Sequence, residues 1–597
     1  MTSSRTASKR RCRYEMSGQD SVYLLVLNRT LGNRNDPLGA RLVAAAVEEE
    51  GISVALFQER LDGRDGLLAK LSRNAEGALA VFISVVPGTR NLLDFVRSVA
   101  TSVGGRLPLV LGGAGARHVD VGALSVANPV VVVRGMGELA AGTIARMLRE
   151  RGTLDPSLLL ALPNLTYAID GQIGRTRDSH DADVVDLVPS AAGLSEAIQR
   201  GDTISASTST GCDGSCVFCA IRQIERTCRW RRRSCAVLEQ WLRRIVAAGG
   251  SEATIDIVDD AIAAKTDHLE AVSKTFVRVN QETGARLTWR ASTRVDHVVD
   301  QRRAEAERRD LRAAWFGAKQ SGLRSIFLGL ESGSRPQLRR FGKRATPEQN
   351  VLALEECRAL GIAVETGFIP IDPLAPSATW RDEMRANVEM AIRANCPQTC
   401  PTWLSPVRVF DGAPLAWLLA KKGLLGQEIP GTGEYTYEYL SPDLADFVQA
   451  LGPALSVDGN PLRDVRRLGK VAFRYAGGPG EPICGTVEQL VVREIRFVQE
   501  LLDAASPAAV ASAQMAYRCD ALTILGDAAT IAAKTRQAVL IATLDAAQKH
   551  VRGWLLWERR DGRSPRAQRG AAPPVCQSRL GDSVGHGMCH RAFMRTG

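Results

Sequence analysis

The chain has 597 residues, which is too long for one hydrophobic core and predicts about three domains. Its composition, 45% hydrophobic and 24% charged, is that of an ordinary globular protein, and no apolar run approaches the roughly 18 residues of a transmembrane helix. The net charge is +11, but the arginines cluster at 226–233 and 559–569 rather than along a nucleic-acid-binding module. Basic tails therefore explain the charge better than a nucleic-acid partner, and RNA stays a minority alternative.

The cysteine content and the N-terminus bear on location. The chain has 13 cysteines without the spacing of a disulfide framework, and its first 14 residues are polar and basic with no apolar signal core. We therefore expect a cytoplasmic protein with no membrane association. Residues 1–20 are predicted to form a disordered tail.

Apolar strands alternate with helices between residues 21 and 151. Strand-length apolar runs alternate with helix-period stretches, the strands at 22–27, 52–57, 78–85, 107–111 and 130–133 and the helices at 40–50, 67–71, 92–100 and 138–149. This alternation predicts a doubly wound parallel sheet of Rossmann-like type. Ligands of such sheets bind beyond the carboxyl ends of the strands.

Two glycine turns follow the fourth and fifth predicted strands. They are Gly112-Gly113 and Gly135-Met136-Gly137-Glu138. Glycine there permits a positive φ and a close approach of the backbone to a ligand, although two tight turns without a ligand remain an alternative. No G-x-G-x-x-G motif follows the first strand, which argues against a nicotinamide or flavin domain. Residues 152–202 then lose their periodicity and are predicted to form an extended linker.

Three cysteines lie in a glycine-containing loop after the strand predicted at 203–209. Cys212, Cys216 and Cys219 have C-x3-C-x2-C spacing. That spacing lets three thiolates converge on one iron–sulfur cluster and leaves one iron open for another ligand. A structural zinc site requires four protein ligands, and no C-x2-C partner pair is present elsewhere. The loop therefore favours a 4Fe–4S cluster over zinc. Cys396 and Cys400 are expected to be structural rather than ligands of a second cluster.

Repeated strand–helix units continue from 203 to 424 and predict a partial parallel β/α barrel. Barrel chemistry lies where the strands end, and polar residues fall at several of these ends. They are Asp259, Asp260, Arg294, Glu331 and Ser332. Residues 425–558 are helix-period and predict a mostly helical C-terminal domain, and residues 559–597 are predicted to be a basic disordered tail.

Several motifs together resemble one family. The cysteine loop, with Phe218 just before its last cysteine, resembles the signature of the radical S-adenosylmethionine (SAM) superfamily. Residues 329–334, Gly-Leu-Glu-Ser-Gly-Ser, resemble the fourth-strand motif of that superfamily. The Leu-Gly-Gly loop at 111–113 and the Arg-Gly-x-Gly-Glu turn at 134–138 resemble a cobalamin-binding domain. Over residues 21–420 the chain thus resembles the cobalamin-dependent radical SAM methyltransferases.

The resemblance implies a role for each motif. Residues 21–151 would form the cobalamin-binding domain and residues 203–424 the radical SAM core. Carboxylates would accept hydrogen bonds from the SAM ammonium and an arginine would pair with its carboxylate, at Asp259, Asp260, Arg294, Glu331 and Ser332. Corrinoid would pack over Ser84, Gly112, Gly113, Gly135, Gly137 and Glu138. The Asp-x-His-x-x-Gly loop of classical corrinoid proteins is absent, so no histidine would replace the lower nucleotide base.

The implied activity is transfer of a methyl group from SAM, by way of methylcobalamin, to an unactivated carbon of a small molecule in secondary-metabolite (antibiotic) biosynthesis. C2 of L-tryptophan is the first expected acceptor, and a pyrrole carbon or a phosphorus atom is the next. A flavodoxin or ferredoxin would supply electrons. The alternatives are a non-methylating rearrangement or cyclisation enzyme and a non-catalytic corrinoid- or cluster-binding sensor.

Overall fold

The protein is described by a computed structural model. It describes residues 21–28, 36–60, 64–74, 77–85, 92–105, 107–179, 186–221, 230–457, 460–475, 482–535 and 538–561. The chain divides into two compact units. The first holds the described residues of 21–27, 43–85 and 91–178, and the second holds those of 28–42 and 179–561.

The N-terminal region alternates strands and helices as the sequence predicts. Its strands are β1 (Ser21–Asn28), β2 (Ser53–Arg60), β3 (Ala78–Ser84), β4 (Leu109–Gly112), β5 (Val130–Val133), β6 (Leu165–Ile169) and β7 (Gln172–Arg175). Its helices are α1 (Leu38–Glu49), α2 (Arg64–Asn74), α3 (Leu92–Val103), α4 (Val121–Leu124), α5 (Glu138–Arg151) and α6 (Pro156–Leu159).

These strands form one seven-stranded sheet in the order β2-β1-β3-β4-β5-β6-β7. Strands β1, β3, β4 and β5 run parallel. Four valines make up β5 and all are buried, because a central parallel strand is covered on both faces. The order 2-1-3-4-5 is that of doubly wound folds, whose ligands bind beyond the carboxyl ends of the strands. The predicted doubly wound parallel sheet is therefore confirmed.

The segment predicted as an extended linker contains regular structure. Strands β6 and β7 form a hairpin, β6 pairs antiparallel with β5, and β7 is the edge strand. The hairpin turn is Asp170-Gly171, both at positive φ, which a two-residue hairpin turn requires. Residues 165–175 of the predicted extended linker are therefore part of the sheet; β6 is short with alternating burial and β7 is mostly exposed, so neither has the long apolar run that marks a central strand. The domain boundaries themselves stay predictions.

The second region repeats the strand–helix alternation. Its strands are β8 (Ile204–Ala206), β9 (Ser209–Thr210), β10 (Arg231–Arg232), β11 (Thr254–Ile257), β12 (Thr288–Arg294), β13 (Leu323–Glu331), β14 (Ala363–Phe368), β15 (Val409–Phe410), β16 (Leu425–Ile429) and β17 (Glu434–Tyr437). Its helices up to residue 421 are α7 (Leu194–Gln199), α8 (Cys235–Ala247), α9 (Thr266–Thr283), α10 (Glu305–Gln320), α11 (Arg335–Arg340), α12 (Pro347–Ala359), α13 (Trp380–Arg393), α14 (Cys396–Thr399) and α15 (Pro414–Lys421).

Five of these strands form a parallel sheet in the order β14-β13-β12-β11-β8. Each neighbouring pair is parallel, so the carboxyl ends of all five strands meet at one edge. Large apolar side chains of the helices pack against those of this sheet; Trp241 and Trp315 of helices α8 and α10 and Trp289 of β12 are among the most deeply buried. The arrangement confirms the predicted parallel β/α core of open, partial-barrel type.

The C-terminal part is mostly helical. Its helices are α16 (Pro442–Leu451), α17 (Pro461–Tyr475), α18 (Pro482–Asp503), α19 (Pro507–Thr535) and α20 (Ala538–Asp561). Strands β15, β17 and β16 form a small antiparallel sheet before them. The tails were predicted at 1–20 and 559–597; residues 1–20 and 562–597 lie outside the described residues, and residues 559–561 are the last residues of α20. Among the described helices, none combines the length and apolar character needed to cross a membrane.

Candidate functional site

The cysteine loop leaves β9 and is held at both sides by backbone hydrogen bonds. Gly211 begins it at φ +73°, a conformation that favours glycine. The Val217 N–H donates to the Phe341 carbonyl at 2.9 Å, and the Val217 carbonyl accepts from Leu415 N–H at 2.8 Å. Within the loop, Gly214 N–H donates to Cys212 Sγ at 3.3 Å. The loop is thus fixed by the segments that follow β13 of the five-stranded sheet and β15 of the three-stranded sheet.

The aromatic residue before the last cysteine also has a packing role. The Phe218 ring meets the Phe341 ring edge-on, with centroids 5.2 Å apart and planes at 70°. Gly342, the residue after Phe341, has φ +65°, and a Cβ there would lie 2.7 Å from the Ser215 carbonyl oxygen. Gly342 therefore has to be glycine for the cysteine loop to pack against this turn.

The three predicted ligands are half-buried thiols within electrostatic range of one another. Partial burial raises the pKa of Cys212 and of Cys216, and it raises the pKa of Cys219 to about 11, an effect that the neighbouring Cys216 and Cys212 thiols increase. None of the three is in a disulfide. Within the described ranges no three His, Cys, Asp or Glu side chains converge tightly enough to hold a single metal ion. Thiols spread around a loop suit a multi-iron cluster, which would stabilise their thiolate form.

A buried ion pair borders the loop at the end of β12. Arg294 Nε and Nη2 donate to Asp296 Oδ1 and Oδ2 at 2.9 and 2.7 Å, a bidentate pair. Burial alone would lower the pKa of Arg294, but Asp296 outweighs it and raises that pKa. The third nitrogen, Nη1, is buried without a hydrogen-bond partner among the described residues. A Cβ on Gly214 would overlap Nη1, so this donor lies directly against the cysteine loop.

A second contact reaches the loop from the same strand end. His297 Nε2 lies 3.1 Å from Asp213 Oδ2, and the indole of Trp315 donates to the His297 carbonyl at 3.0 Å. Burial raises the pKa of Asp213, but the hydrogen bond from His297 and the charges of His297 and Arg294 outweigh it and lower that pKa to about 2. Asp213 therefore stays ionised next to the first cysteine.

Glu331 ends β13 in a strained conformation and pairs with a lysine. Its φ is +65°, unusual for a residue with a side chain, and its carboxylate accepts from Lys343 Nζ at 2.9 Å. A Cβ on Gly329 would collide with Glu331 Oε1, so Gly329 makes room for this pair. Burial would lower the pKa of Lys343, but Glu331 and Cys216 outweigh it and raise that pKa. Such strain, in a buried charged pair beside a cysteine loop, is typical of a functional site.

The two adjacent aspartates have different surroundings. Asp259 is 2% exposed and its carboxylate accepts from Thr208 N–H, Thr208 Oγ1 and Ser209 Oγ at 2.8, 2.5 and 2.7 Å. Those bonds tie the chain before the cysteine loop to β11, which explains why the strand predicted at 203–209 is interrupted. Asp260 instead lies in electrostatic range of the Cys212 and Cys219 thiols. The structure thus favours Asp260 over Asp259 as the carboxylate that faces a ligand.

Ser332 is fully buried and its hydroxyl is occupied. It lies 2.8 Å from Gln337 Oε1 and 2.6 Å from Asn387 Oδ1, and it accepts from Ser334 N–H at 2.9 Å. This network fixes the turn after β13 and favours a structural role over the predicted direct contact with SAM. Cys396 and Cys400 are also buried, one helical turn apart at α14.

Sequence reasoning missed the partners of the predicted residues. In an arginine-rich chain, polar residue types such as these look like ordinary surface residues; the three partners are Lys343, Asp296 and His297. The signal that could have found them is position, because Asp296 and His297 directly follow a strand end and Lys343 follows a short helix and a glycine.

In the first unit, small residues lie at or near the ends of three neighbouring strands. Ser84 of β3 pairs in register with Gly112 of β4, and Gly135 follows β5 after the buried Arg134. A Cβ on Gly112 would meet nothing within 4 Å. Gly113 has φ +93° and a Cβ there would lie 2.6 Å from the Val85 carbonyl oxygen. The space over Gly112 is therefore open, which fits a broad, flat group.

The glycine turn after β5 leads into a helix. Gly137 is the N-cap of α5, and Glu138 is its first residue and is buried. A Cβ on Gly135 would lie 3.1 Å from Asn164 Nδ2. The predicted cobalamin-binding residues Ser84, Gly112, Gly113, Gly135, Gly137 and Glu138 thus all lie at or just beyond the ends of β3, β4 and β5.

Solved structures share this architecture. The cobalamin-dependent S-adenosylmethionine radical enzyme OxsB, solved with aqua-cobalamin and SAM bound, has a TM-score of 0.67 at 16% identity and covers 90% of this chain and 84% of its own. The radical SAM methyltransferase TsrM from Kitasatospora setae, solved with cobalamin and an iron–sulfur cluster, has a TM-score of 0.56 at 17% identity and covers 80% of this chain and 99% of its own. No protein-family model matches the chain.

Curated relatives match shorter parts. The 4′-phospho-dehydrooxetanocin synthase of Priestia megaterium is 29% identical over 215 residues, 35% of this chain and 28% of that protein. The hopanoid C-3 methylase of Methylococcus capsulatus is 23% identical over 356 residues, 56% of this chain and 61% of that protein. The chain thus matches less than two thirds of each of these two relatives. In its fold, the chain is similar to the cobalamin-dependent radical SAM enzymes, as its motifs predicted.

Proposed function

We propose that this protein is a cobalamin- and SAM-dependent radical-type methyltransferase that methylates a carbon atom of a small molecule in the cytoplasm. The observation that carries the proposal is the convergence of three half-buried thiols with buried, charged side chains beside one edge of a parallel sheet. The fold shared with OxsB over 90% of this chain supports it.

In this proposal Cys212, Cys216 and Cys219 hold the 4Fe–4S cluster. Their thiols suit this role because they form no disulfide and lie within electrostatic range of one another. Asp260 and Glu331 hold the ammonium and ribose groups of SAM, and Lys343 fixes the Glu331 carboxylate through their hydrogen bond. Asp259 and Ser332 position the chain around them through their hydrogen bonds. Two of the three guanidinium nitrogens of Arg294 already bind Asp296, which leaves only Nη1 for the predicted pairing with the SAM carboxylate. That pairing stays a prediction.

The open edge of the first unit holds the corrinoid. Ser84, Gly112 and Gly135 leave room for the macrocycle, Gly113 lets the backbone turn tightly beneath it, and Gly137 and Glu138 begin the helix beside it. When bound, the three cofactors supply reductive chemistry and methyl carriage that no side chain provides. The protein's own residues bind, orient and shield them, and an external flavodoxin or ferredoxin supplies electrons.

The acceptor we propose is C2 of L-tryptophan. TsrM has been solved with a tryptophan substrate and a SAM analogue, with a TM-score of 0.51 over 67% of this chain. A pyrrole carbon or a phosphorus atom is the next acceptor in line. The setting we propose is antibiotic biosynthesis.

A second candidate is a non-methylating enzyme with the same cofactors. One observation favours it: the relative with 29% identity is described as a synthase rather than a methylase.

One experiment separates these candidates. Protein reconstituted anaerobically with iron, sulfide and cobalamin is incubated with methyl-labelled SAM, a reductant and a panel of aromatic amino acids and pyrrole carboxylates. Mass spectrometry should show a product heavier by one labelled methyl group. Formation of 5′-deoxyadenosine without methyl transfer to any acceptor would support the second candidate, and bound cofactors without turnover would indicate a sensor.

A further inference from the structure

Among the residues that the structure describes, one guanidinium nitrogen of Arg294 has no hydrogen-bond partner. The Arg294 side chain lies at the carboxyl end of β12 and the residue is 5% exposed. Nε and Nη2 form the bidentate pair with Asp296, whereas Nη1 is buried and makes no hydrogen bond within the described residues. A buried, charged donor without an acceptor is unfavourable, so this nitrogen indicates a group that the described residues do not provide.

The direction of Nη1 identifies that group. A Cβ built on Gly214 would overlap Nη1 and would lie 3.3 Å from Cys212 Sγ, so the nitrogen and the sulfur flank the same small volume. Gly214 N–H donates to the same sulfur from the loop side. Because the planar guanidinium is fixed by its two bonds to Asp296, Nη1 has little freedom to turn toward another acceptor.

We infer that Arg294 Nη1 donates a hydrogen bond to a sulfur at the Cys212 corner of the iron–sulfur cluster. Arg294 is then a positioning residue for the cluster rather than the partner of the SAM carboxylate. The inference rests on the proposed function only in requiring that the three cysteines bind a cluster. A donor and a positive charge next to a cluster sulfur favour the reduced, more negative cluster, so Arg294 raises its midpoint potential.

Two variants test this by different routes. Arg294→Lys keeps the charge but removes the planar fork and therefore Nη1. Gly214→Ala keeps Arg294 and places a methyl group where Nη1 lies, and Gly214 does not need a positive φ. The control is Arg290→Lys, on the same strand and also buried, beside Asp256 at 3.8 Å. Iron content and midpoint potential, followed by electron paramagnetic resonance, are measured without SAM in the reconstituted full chain.

We expect both variants to shift the midpoint potential to more negative values and the control to leave it unchanged. The double variant Gly214→Ala with Arg294→Lys should shift it no further than Arg294→Lys alone, because the displaced nitrogen is already gone. Loss of iron from both variants at an unchanged apoprotein melting temperature would also support the inference, since a purely structural ion pair would lower that temperature instead.

Other results overturn it. An unchanged potential with weakened SAM binding in Arg294→Lys would assign Nη1 to the SAM carboxylate. A lowered melting temperature with an unchanged potential would reduce Arg294 to a structural role. If wild-type protein binds no cluster, the proposed function fails first, and this result is distinct from both.

Discussion

Two strand edges in this chain differ in chemical character. The edge of the five-stranded sheet carries two buried ion pairs, Arg294 with Asp296 and Glu331 with Lys343. The edge at the ends of β3, β4 and β5 carries Ser84 and several glycines, with the buried Arg134 and Glu138 in the turn after β5. Both are carboxyl ends of parallel strands, the position where such folds bind ligands.

The difference reflects the size and charge of the group that each edge accepts. A charged ligand needs fixed charges of opposite sign, and these charges must be paired with each other when buried. A large flat ligand needs space and backbone access, which glycine provides. One type of fold therefore forms two different sites through the residues at its strand ends.

The largest expected effect concerns the cysteine loop beside the edge of the five-stranded sheet. Replacing Cys212, Cys216 and Cys219 together by Ala should abolish iron binding after reconstitution, because an iron–sulfur cluster requires thiolate ligands. Iron and sulfide analysis measures this. The exposed Cys519 supplies a matched control, since Cys519→Ala should leave the iron content unchanged. Iron retained in the triple variant would refute the assignment.

Glu331→Gln should destabilise the apoprotein strongly. It leaves the Lys343 ammonium buried without its carboxylate, and breaking a buried pair costs about 3–5 kcal/mol. Urea denaturation measures the loss. Glu348, whose pair with Arg335 is exposed, is the comparison: Glu348→Gln should change stability by less than about 1 kcal/mol. Equal effects at the two sites would show that the Glu331 pair is not buried in solution.

The adjacent glycines Gly112 and Gly113, at the end of β4, should differ in how well they tolerate substitution by alanine. Gly113→Ala places a Cβ at positive φ against the Val85 carbonyl and should cost roughly 1–3 kcal/mol. Gly112→Ala enters open space and should cost less than about 1 kcal/mol. It should nevertheless weaken corrinoid binding, which spectroscopic titration measures. If Gly112→Ala leaves corrinoid affinity unchanged, the macrocycle does not lie over this glycine.

The two neighbouring aspartates give the smallest and most specific contrast. Asp259→Asn weakens three hydrogen bonds to Thr208 and Ser209 and should cost about 1–3 kcal/mol of stability. Asp260→Asn should change stability by less than about 1 kcal/mol but weaken SAM binding several-fold. Calorimetric titration of the reconstituted protein with SAM measures the affinity. The reverse pattern would assign the ligand-facing role to Asp259.

The architecture and the cysteine loop could be predicted because their signals are local. Runs such as Val130–Val133 indicate a buried strand by themselves, and three cysteines within eight residues indicate a cluster. The interactions of Asp259 could not be predicted, because Thr208 and Ser209 lie about 50 residues away in the sequence. The Asp259–Asp260 pair was correctly placed at a strand end, but the task of each carboxylate depends on that tertiary contact.

Pairing partners were the main omission for the same reason. Lys343 in an arginine-rich chain looks like a surface residue, and only the fold brings it to Glu331. The hairpin of β6 and β7 was missed because its strands are short and one of them is exposed. Edge strands carry a weaker hydrophobic pattern than buried ones, so composition favours a loop there.

The most direct test of the two-edge account is the cofactor content of the wild-type chain after anaerobic reconstitution with iron, sulfide and cobalamin. Iron analysis and corrinoid absorbance on the same desalted sample give both occupancies. The account predicts about four irons and about one corrinoid per chain. Iron without corrinoid, or corrinoid without iron, would contradict it.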